Sequence, residues 1–365
     1  MRFFPDGPHI PNRLLADHER GNVVFLCGAG VSVAAGLPNF EDLAKKLVDR
    51  LGAPVNATSR VLIERARQAK ALGIPAPTDV VISQLQREYT PDQLIEAVAA
   101  ELRCPEDYDY SFHRTITRLS RNPEGLPRLV TTNFENLFEL ADPKLRPVLP
   151  PSLPDLGLRQ PLDGLVYLHG KLGERQGRPV ALSDLILGSG DFGRAYLAHG
   201  WATRFLRQLL SSYSVVLVGY SASDPPVQYL LEGLVTDPAT SSTKIYAFIP
   251  SGSPEDVQLW ANRGVHPIIY AWDKPHLKLW ETLSAWADLA DDPVRWRAKI
   301  IAKERRRRTL LSVVKRCTWS APLKEQRHGQ KQNPHQPQIG FALSIERFAT
   351  QSLERNGMRI RSLIP

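Results

Sequence analysis

The chain has 365 residues, 42% hydrophobic and 23% charged, enough to bury one large core or two smaller ones. No apolar stretch reaches the roughly eighteen residues that span a bilayer, and the N-terminus lacks a signal-peptide core, so a cytoplasmic protein without membrane contact is expected. Cys27, Cys104 and Cys317 lie far apart with no Cys-x-x-Cys pair, which indicates neither a disulfide framework nor a cysteine zinc site. The net charge of +8 is local: residues 303–365 carry fourteen Lys and Arg against four Glu, and the remaining body has 32 basic and 34 acidic residues. Basic character therefore belongs to the tail, and the body offers no argument for nucleic-acid binding.

In chain order, a Pro-rich lead-in precedes a short helix expected over 13–20. Val23–Cys27, an unbroken apolar run ending at Gly28, reads as a strand buried on both faces of a parallel sheet. Gly28, Ala29 and Gly30 then supply a backbone almost without side chains, and Ser32, Ala34 and Ala35 are expected to open a helix. A strand, a small-residue loop and a helix N-terminus attract a pyrophosphate through free N–H groups and the helix dipole. The third glycine arrives only at Gly36, so a tight turn without ligand fits this stretch as well as a dinucleotide loop does.

Helical periodicity follows over 41–51, 60–72, 79–88, 91–102 and 111–121, with Thr90 as an N-cap before Pro91. No strand is legible across 41–121, a span longer than an ordinary crossover, which predicts a helical insertion after the first βα unit. Strands resume at 128–132, 164–168, 214–219, 244–249 and 265–271, with helices at 136–140, 201–211, 227–234, 254–262 and 276–287. This alternation predicts an α/β fold, a Rossmann-like open parallel sheet with helices on both faces. One domain is expected over 12–300, and 301–365 reads as a basic, largely disordered tail. That tail is either a solvated segment without a role or an arm contacting nucleic acid or a partner. The abrupt change after Ile301 also fits a truncated or shifted reading frame.

Ligands of such sheets bind at the carboxyl ends of the strands. There stand Gly28-Ala29-Gly30-Val31-Ser32, Thr131-Thr132-Asn133-Phe134-Glu135, His169-Gly170 and Gly219-Tyr220-Ser221-Ala222-Ser223-Asp224. Each has a structural reading of its own: Asn133 as a helix cap, His169 as a partner of a backbone group, 219–224 as a turn before a capped helix. Together they bring an amide, an imidazole, hydroxyls and a phosphate loop to one edge.

As an ordered set, with Asp191-Phe192-Gly193-Arg194-Ala195-Tyr196 before the fourth exit, these motifs resemble the sirtuin-like NAD-hydrolysing domain of prokaryotic antiviral defence proteins. The resemblance covers about 12–234. It implies NAD⁺ as substrate, cradled by Gly28, Ala29, Gly30, Ser32, Thr132, Gly219 and Ser221, with Asp224 anchoring the last loop or approaching a ribose. It also implies Asn133 facing the nicotinamide ribose and the attacking water, and His169 as the catalytic imidazole. Nicotinamide leaves NAD⁺ as a neutral pyridine, so the barrier lies in the ribose cation. An amide that holds water and an imidazole of ordinary pKa near about 6.5 suffice in principle.

Two departures from the sirtuin deacylases matter. Those enzymes resemble one another in an Asp-Phe-Arg stretch, where this chain has Asn39-Phe40-Glu41, and in a four-cysteine zinc module, where it has no cysteine between His169 and Gly219. Zinc is therefore not expected, and water is favoured over acyl-lysine as acceptor. The resemblance thus implies an NADase that depletes NAD⁺ in anti-phage defence, silent until a sensor or activator protein engages it, and a homo-oligomer when active. An NAD-dependent protein deacylase and a non-catalytic NAD or ADP-ribose sensor are the alternatives.

Overall fold

Five consecutive apolar residues need cover on both faces, and Val23–Cys27 finds it as β1, the central strand of a sheet with seven strands among the described residues. The computed structural model describes residues 1–71, 78–156, 161–175, 177–221, 231, 245–251, 254–273, 276–302, 305 and 309. These fall in two compact units, Met1–Asp292 and Pro293–Pro365, and every element below belongs to the first.

The other strands are β2 Arg128–Thr131, β3 Pro147–Val148, β4 Gly164–Tyr167, a small antiparallel pair β5 Glu174–Arg175 and β6 Arg178–Pro179, then β7 Ser214–Val218, β8 Ile245–Pro250 and β9 Val265–Tyr270. The sheet order is β3-β4-β2-β1-β7-β8-β9 and all neighbours are parallel, the α/β Rossmann-like arrangement. After β1 the chain builds outward on one side through β4, then returns to place β7 on the other side of β1. That reversal makes the carboxyl ends of β2, β1 and β7 the switch point, where open sheets hold their ligands.

Successive strand residues point to opposite faces, and both faces of β1 are covered by helices. Val24 and Leu26 pack with Phe205, Leu206 and Leu209 of the helix Trp201–Ser212. Phe25 points the other way, its ring centroid 5.7 Å from that of Trp286 in the helix Leu277–Asp291.

The helix α1 Asn12–Glu19 leads into β1, and between β1 and β2 lies the expected helical insertion: α2 Phe40–Arg50, α3 Thr58–Ala71, α4 Thr78–Glu88, α5 Pro91–Glu101 and α6 Ser111–Leu119. Asn39 caps α2 by accepting the Asp42 N–H, and Thr90 caps α5 in a reciprocal box with Gln93, with Pro91 at the first position. Apolar faces of α2, α4 and α5 meet in a core of Leu43, Leu47, Ile82, Leu85, Leu94 and Val98, which Phe134, Leu185 and Leu187 join. The insertion is thereby packed against the loops that follow β2 and β4.

The structure departs from the sequence expectations in a few places. The helix expected from Ser32 is instead two 3-10 turns, Ala29–Val31 and Val33–Ala35. Gly36, at φ +79°, ends the second turn, and Pro38 prevents continuation, so α2 begins only at Phe40. β3, the β5–β6 pair, the short helix Ser189–Phe192 and the π turn Gly193–Ala198 had no clear periodicity. The helix expected over 276–287 begins at Leu277 and runs on to Asp291. Asp224, the helix expected over 227–234 and most of the tail lie outside the described residues. No helix among the described residues is long and apolar enough to cross a membrane.

Candidate functional site

The loops leaving β1 and β7 interlock. Gly28 and Gly30 donate their N–H groups to the carbonyls of Val218 and Gly219, each at 2.9 Å. A Cβ on Gly28 would stand 2.6 Å from the Tyr220 ring, and one on Gly30 would stand 2.8 Å from Gly219 Cα. Gly219 itself turns at φ +75°. The Tyr220 hydroxyl donates to the Cys27 carbonyl at 3.1 Å and lies 2.9 Å from Thr132 Oγ1, which ties the β2 exit to the same junction. Small residues here serve the approach of one loop to another. This changes the phosphate-loop expectation, because the amides of Gly28, Gly30, Val31 and Ser32 all donate within the fold. Ala29, half-buried, holds the one amide of 28–32 without a backbone partner among the described residues.

Beside this junction lies a buried polar chain. Thr131 Oγ1 donates to the Cys27 carbonyl at 3.0 Å and accepts the Asn133 N–H at 3.1 Å, turning the backbone out of β2. Asn133 Nδ2 then reaches Glu135 Oε1 at 2.8 Å and Ser32 Oγ at 3.2 Å. Ser32 Oγ donates to Glu135 Oε1 at 2.6 Å and lies 3.3 Å from Nε2 of His113 on α6, whose Nδ1 is 3.3 Å from the Tyr108 hydroxyl. Ser32, His113, Asn133 and Glu135 are only 2, 0, 5 and 7% exposed. Burial raises the Glu135 pKa against the opposing pull of its hydrogen bonds from Ser32 and Asn133, and lowers that of His113 to about 4.

His169 follows β4 and has different partners. Its carbonyl accepts the Ile186 N–H at 2.9 Å, its Nε2 lies 2.8 Å from the Tyr196 hydroxyl, and its ring meets Phe192 edge-on at 5.2 Å. Burial pulls the imidazole down to about 3 and pushes the Tyr196 phenol up. The ring is therefore neutral at physiological pH, not poised near neutrality as the sequence suggested. Asp191 holds the segment over it: its carboxylate accepts the Leu187 and Gly188 N–H groups, takes Gln86 Nε2 of α4 at 2.8 Å and pairs with Arg194.

Ser32 and Asn133 are thus brought into one network, and Gly28, Gly30, Thr132 and Gly219 into one junction. His169 stands at the adjacent strand end in a pair with Tyr196, and Ser221 is exposed at the end of the described loop. Sequence reasoning assigned no role to Tyr220, Tyr196, Tyr108 or His113. Glu135, which the sequence shows only as the end of the exit from the second strand, joins the network, and its place two residues after Asn133 is the available signal. Among the described residues, no three His, Cys, Asp or Glu side chains gather to hold a metal ion.

Comparison with known proteins adds three findings. Residues 127–268 match the SIR2-like domain. An uncharacterized protein of Sinorhizobium fredii, y4cA, is 35% identical over 316 residues, 83% of this chain and 25% of that protein. The NAD(+) hydrolase ThsA of Cytobacillus dafuensis is 25% identical over 232 residues, 61% of this chain and 40% of ThsA. The chain thus spans a quarter and two fifths of these relatives. The crystal structure of a Sir2 homolog–NAD complex aligns with a TM-score of 0.40 at 16% identity, over 80% of this chain and 97% of that one.

Proposed function

Because the chain carries a SIR2-like domain, we propose that it is an NAD⁺ glycohydrolase that cleaves NAD⁺ to nicotinamide and ADP-ribose, with Asn133 and His169 as its catalytic residues. The observation that carries this reading is the meeting of four motif-bearing loops at the carboxyl edge of the adjacent strands β4, β2, β1 and β7, where a switch point accommodates a dinucleotide. The likeness to an NAD(+) hydrolase supports it. In this reading the Ala29 amide and the exposed backbone of Gly30 meet the pyrophosphate, with Gly28, Gly219, Thr132 and Ser221 around them. Ser32 supports Asn133 from behind.

The glycosidic bond breaks with its electron pair going to the nicotinamide nitrogen, water adds to the ribose carbon, and the water proton passes to His169. Asn133 holds that water or the ribose hydroxyl beside it without adding charge. Enclosed against Tyr196, His169 is a weak base. Moving the 189–198 segment aside returns it toward about 6.5, which suits an effector that stays silent until triggered. The stretch where deacylases have Asp-Phe-Arg is here the start of α2, with the Asn39 side chain committed to the cap, and this favours water over acyl-lysine. We assign the activity to NAD⁺ depletion in anti-phage defence, in the cytoplasm, within a homo-oligomer engaged by a sensor or activator protein.

The test incubates purified protein with NAD⁺ and follows nicotinamide release, alone and with candidate partners or lysate of phage-infected cells. Asn133→Ala and His169→Ala are each expected to slow release by about 100-fold or more. Undiminished release in both variants overturns the assignment. NAD⁺-dependent loss of an acetyl group from a lysine peptide would make the chain a deacylase, and NAD⁺ binding without product would make it a sensor.

A further inference from the structure

We infer that the helical insertion supplies a positioning residue to this site: His113 on α6, backed by Tyr108, fixes the Asn133 amide so that its Oδ1 is left to accept a hydrogen bond from the attacking water or a ribose hydroxyl. The inference rests on the hydrolase reading and goes beyond it, since α6 lies outside the matched 127–268 segment.

The argument is one of proton direction. Glu135 Oε1 serves as an acceptor and receives both the Ser32 hydroxyl at 2.6 Å and Asn133 Nδ2 at 2.8 Å. A serine has one hydroxyl hydrogen. Once it points at Glu135, the Ser32 oxygen accepts from its other two neighbours, Asn133 Nδ2 at 3.2 Å and His113 Nε2 at 3.3 Å. His113 must then carry its proton on Nε2. As a neutral imidazole it has a bare Nδ1, which accepts the Tyr108 O–H at 3.3 Å. A single proton arrangement therefore satisfies every link from Tyr108 to Glu135.

The reversed Asn133 amide would set its carbonyl oxygen against a carboxylate oxygen and a hydroxyl oxygen with no hydrogen to offer. The chain thus selects one amide orientation, in which both Nδ2 hydrogens point inward and Oδ1 makes no hydrogen bond among the described residues. His113 is itself held, fully buried, with its ring 4.8 Å from that of Phe138 and 5.8 Å from that of Tyr108. Without its N–H, the Ser32 hydroxyl loses one of the two donors that hold its hydrogen on Glu135, and the amide loses its fixed frame.

The experiment has two readouts. In histidine-labelled protein, ¹⁵N shifts at pH 7, with His113 assigned by its absence from the His113→Gln spectrum, are expected to show the neutral Nε2–H tautomer. An Nδ1–H tautomer or a charged ring overturns the inference whether or not the protein turns over. In the nicotinamide assay, His113→Leu is expected to lower kcat about tenfold with KM for NAD⁺ little changed. His113→Gln, whose amide offers a donor near the Nε2 position, is expected to recover most of that loss at a similar melting temperature. A His113→Leu variant with full kcat, or a Gln variant as slow as the Leu variant at equal stability, overturns it. A wild-type chain that releases no nicotinamide with any partner yet shows the Nε2–H tautomer overturns the hydrolase reading and leaves the hydrogen-bond chain standing.

Discussion

At position 133 an amide can do what a carboxylate cannot, which is to donate. Asn133 Nδ2 stands 2.8 Å from Glu135 Oε1 in a buried setting, so Asn133→Asp would replace a donor by a second acceptor and place two carboxyl groups together. Two such groups cannot both ionise, and one keeps its proton. The variant is expected to be about 2–3 kcal/mol less stable than wild type at pH 7, and the deficit should shrink at pH 5, where a shared proton is available. Urea unfolding at the two pH values measures it; a deficit equal at both would contradict the sharing of one proton between the two carboxyl groups. The two halves of this site differ in how far the sequence revealed them. Ser32 and Asn133 stand in short motifs just after apolar strands, where the chemistry of open sheets is concentrated. His113 is an unmarked residue on an amphipathic helix, 81 positions from the serine it meets, and no local periodicity encodes a contact made by folding an insertion back over a strand end.

Among elements, the decisive contact is the one between the loops at 28–32 and 219–221, where backbone meets backbone. Gly30→Ala would press a methyl to 2.8 Å from both the Cα and the carbonyl oxygen of Gly219, and main chain cannot swing aside as a long side chain can. Loss of about 1–3 kcal/mol is expected, seen as a lower melting temperature. Gly193→Ala supplies the opposite sign from the same added methyl: its backbone is helical at φ −56° and ψ −41°, and no heavy atom lies within 4 Å of the new Cβ. It is expected to raise stability by about 0.5 kcal/mol by restricting the unfolded chain. Similar melting temperatures for the two variants would contradict the interlocked junction. Strands β1, β2, β4, β7 and β8 are legible because a segment buried on both faces is built around an unbroken apolar run, and α5 because Thr90, Pro91 and Gln93 declare its start. β3 has two residues on the sheet edge, half-buried or exposed, too few to show a period. The loop after β1 was misread as a helix because small residues permit both a helix and a 3-10 turn, and the choice was made downstream by Gly36 and Pro38.

At the scale of the whole molecule, the fold encloses imidazoles that the unfolded chain exposes, and this couples stability to pH. Burial lowers the pKa of His18, takes His113 to about 4 and His169 to about 3, whereas the unfolded chain binds these protons near about 6.5. A depressed folded pKa gives stability that is complete above the unfolded value and is lost on acidification, here from about pH 6.5 toward 3, at about 1.4 kcal/mol per pH unit per group. Glu135 and Asp79, whose pKa values burial raises, act with the opposite sign and are most stabilising at low pH, so the total slope mixes both classes. A difference isolates one group. The stability of wild type minus that of His169→Gln, which keeps a hydrogen-bonding partner for Tyr196, is expected to fall by about 2 kcal/mol between pH 7 and pH 5. Parallel curves would show that His169 titrates alike in folded and unfolded chains. Paired with the pH profile of nicotinamide release, the same measurement tests the proposed role of the enclosed imidazole. Stability reports the imidazole enclosed by Tyr196. An acid limb of kcat near about pH 6 that vanishes in the His169→Gln variant, with the stability slope unchanged in wild type, requires that turnover proceed from a form in which the 189–198 segment has moved and His169 has met water.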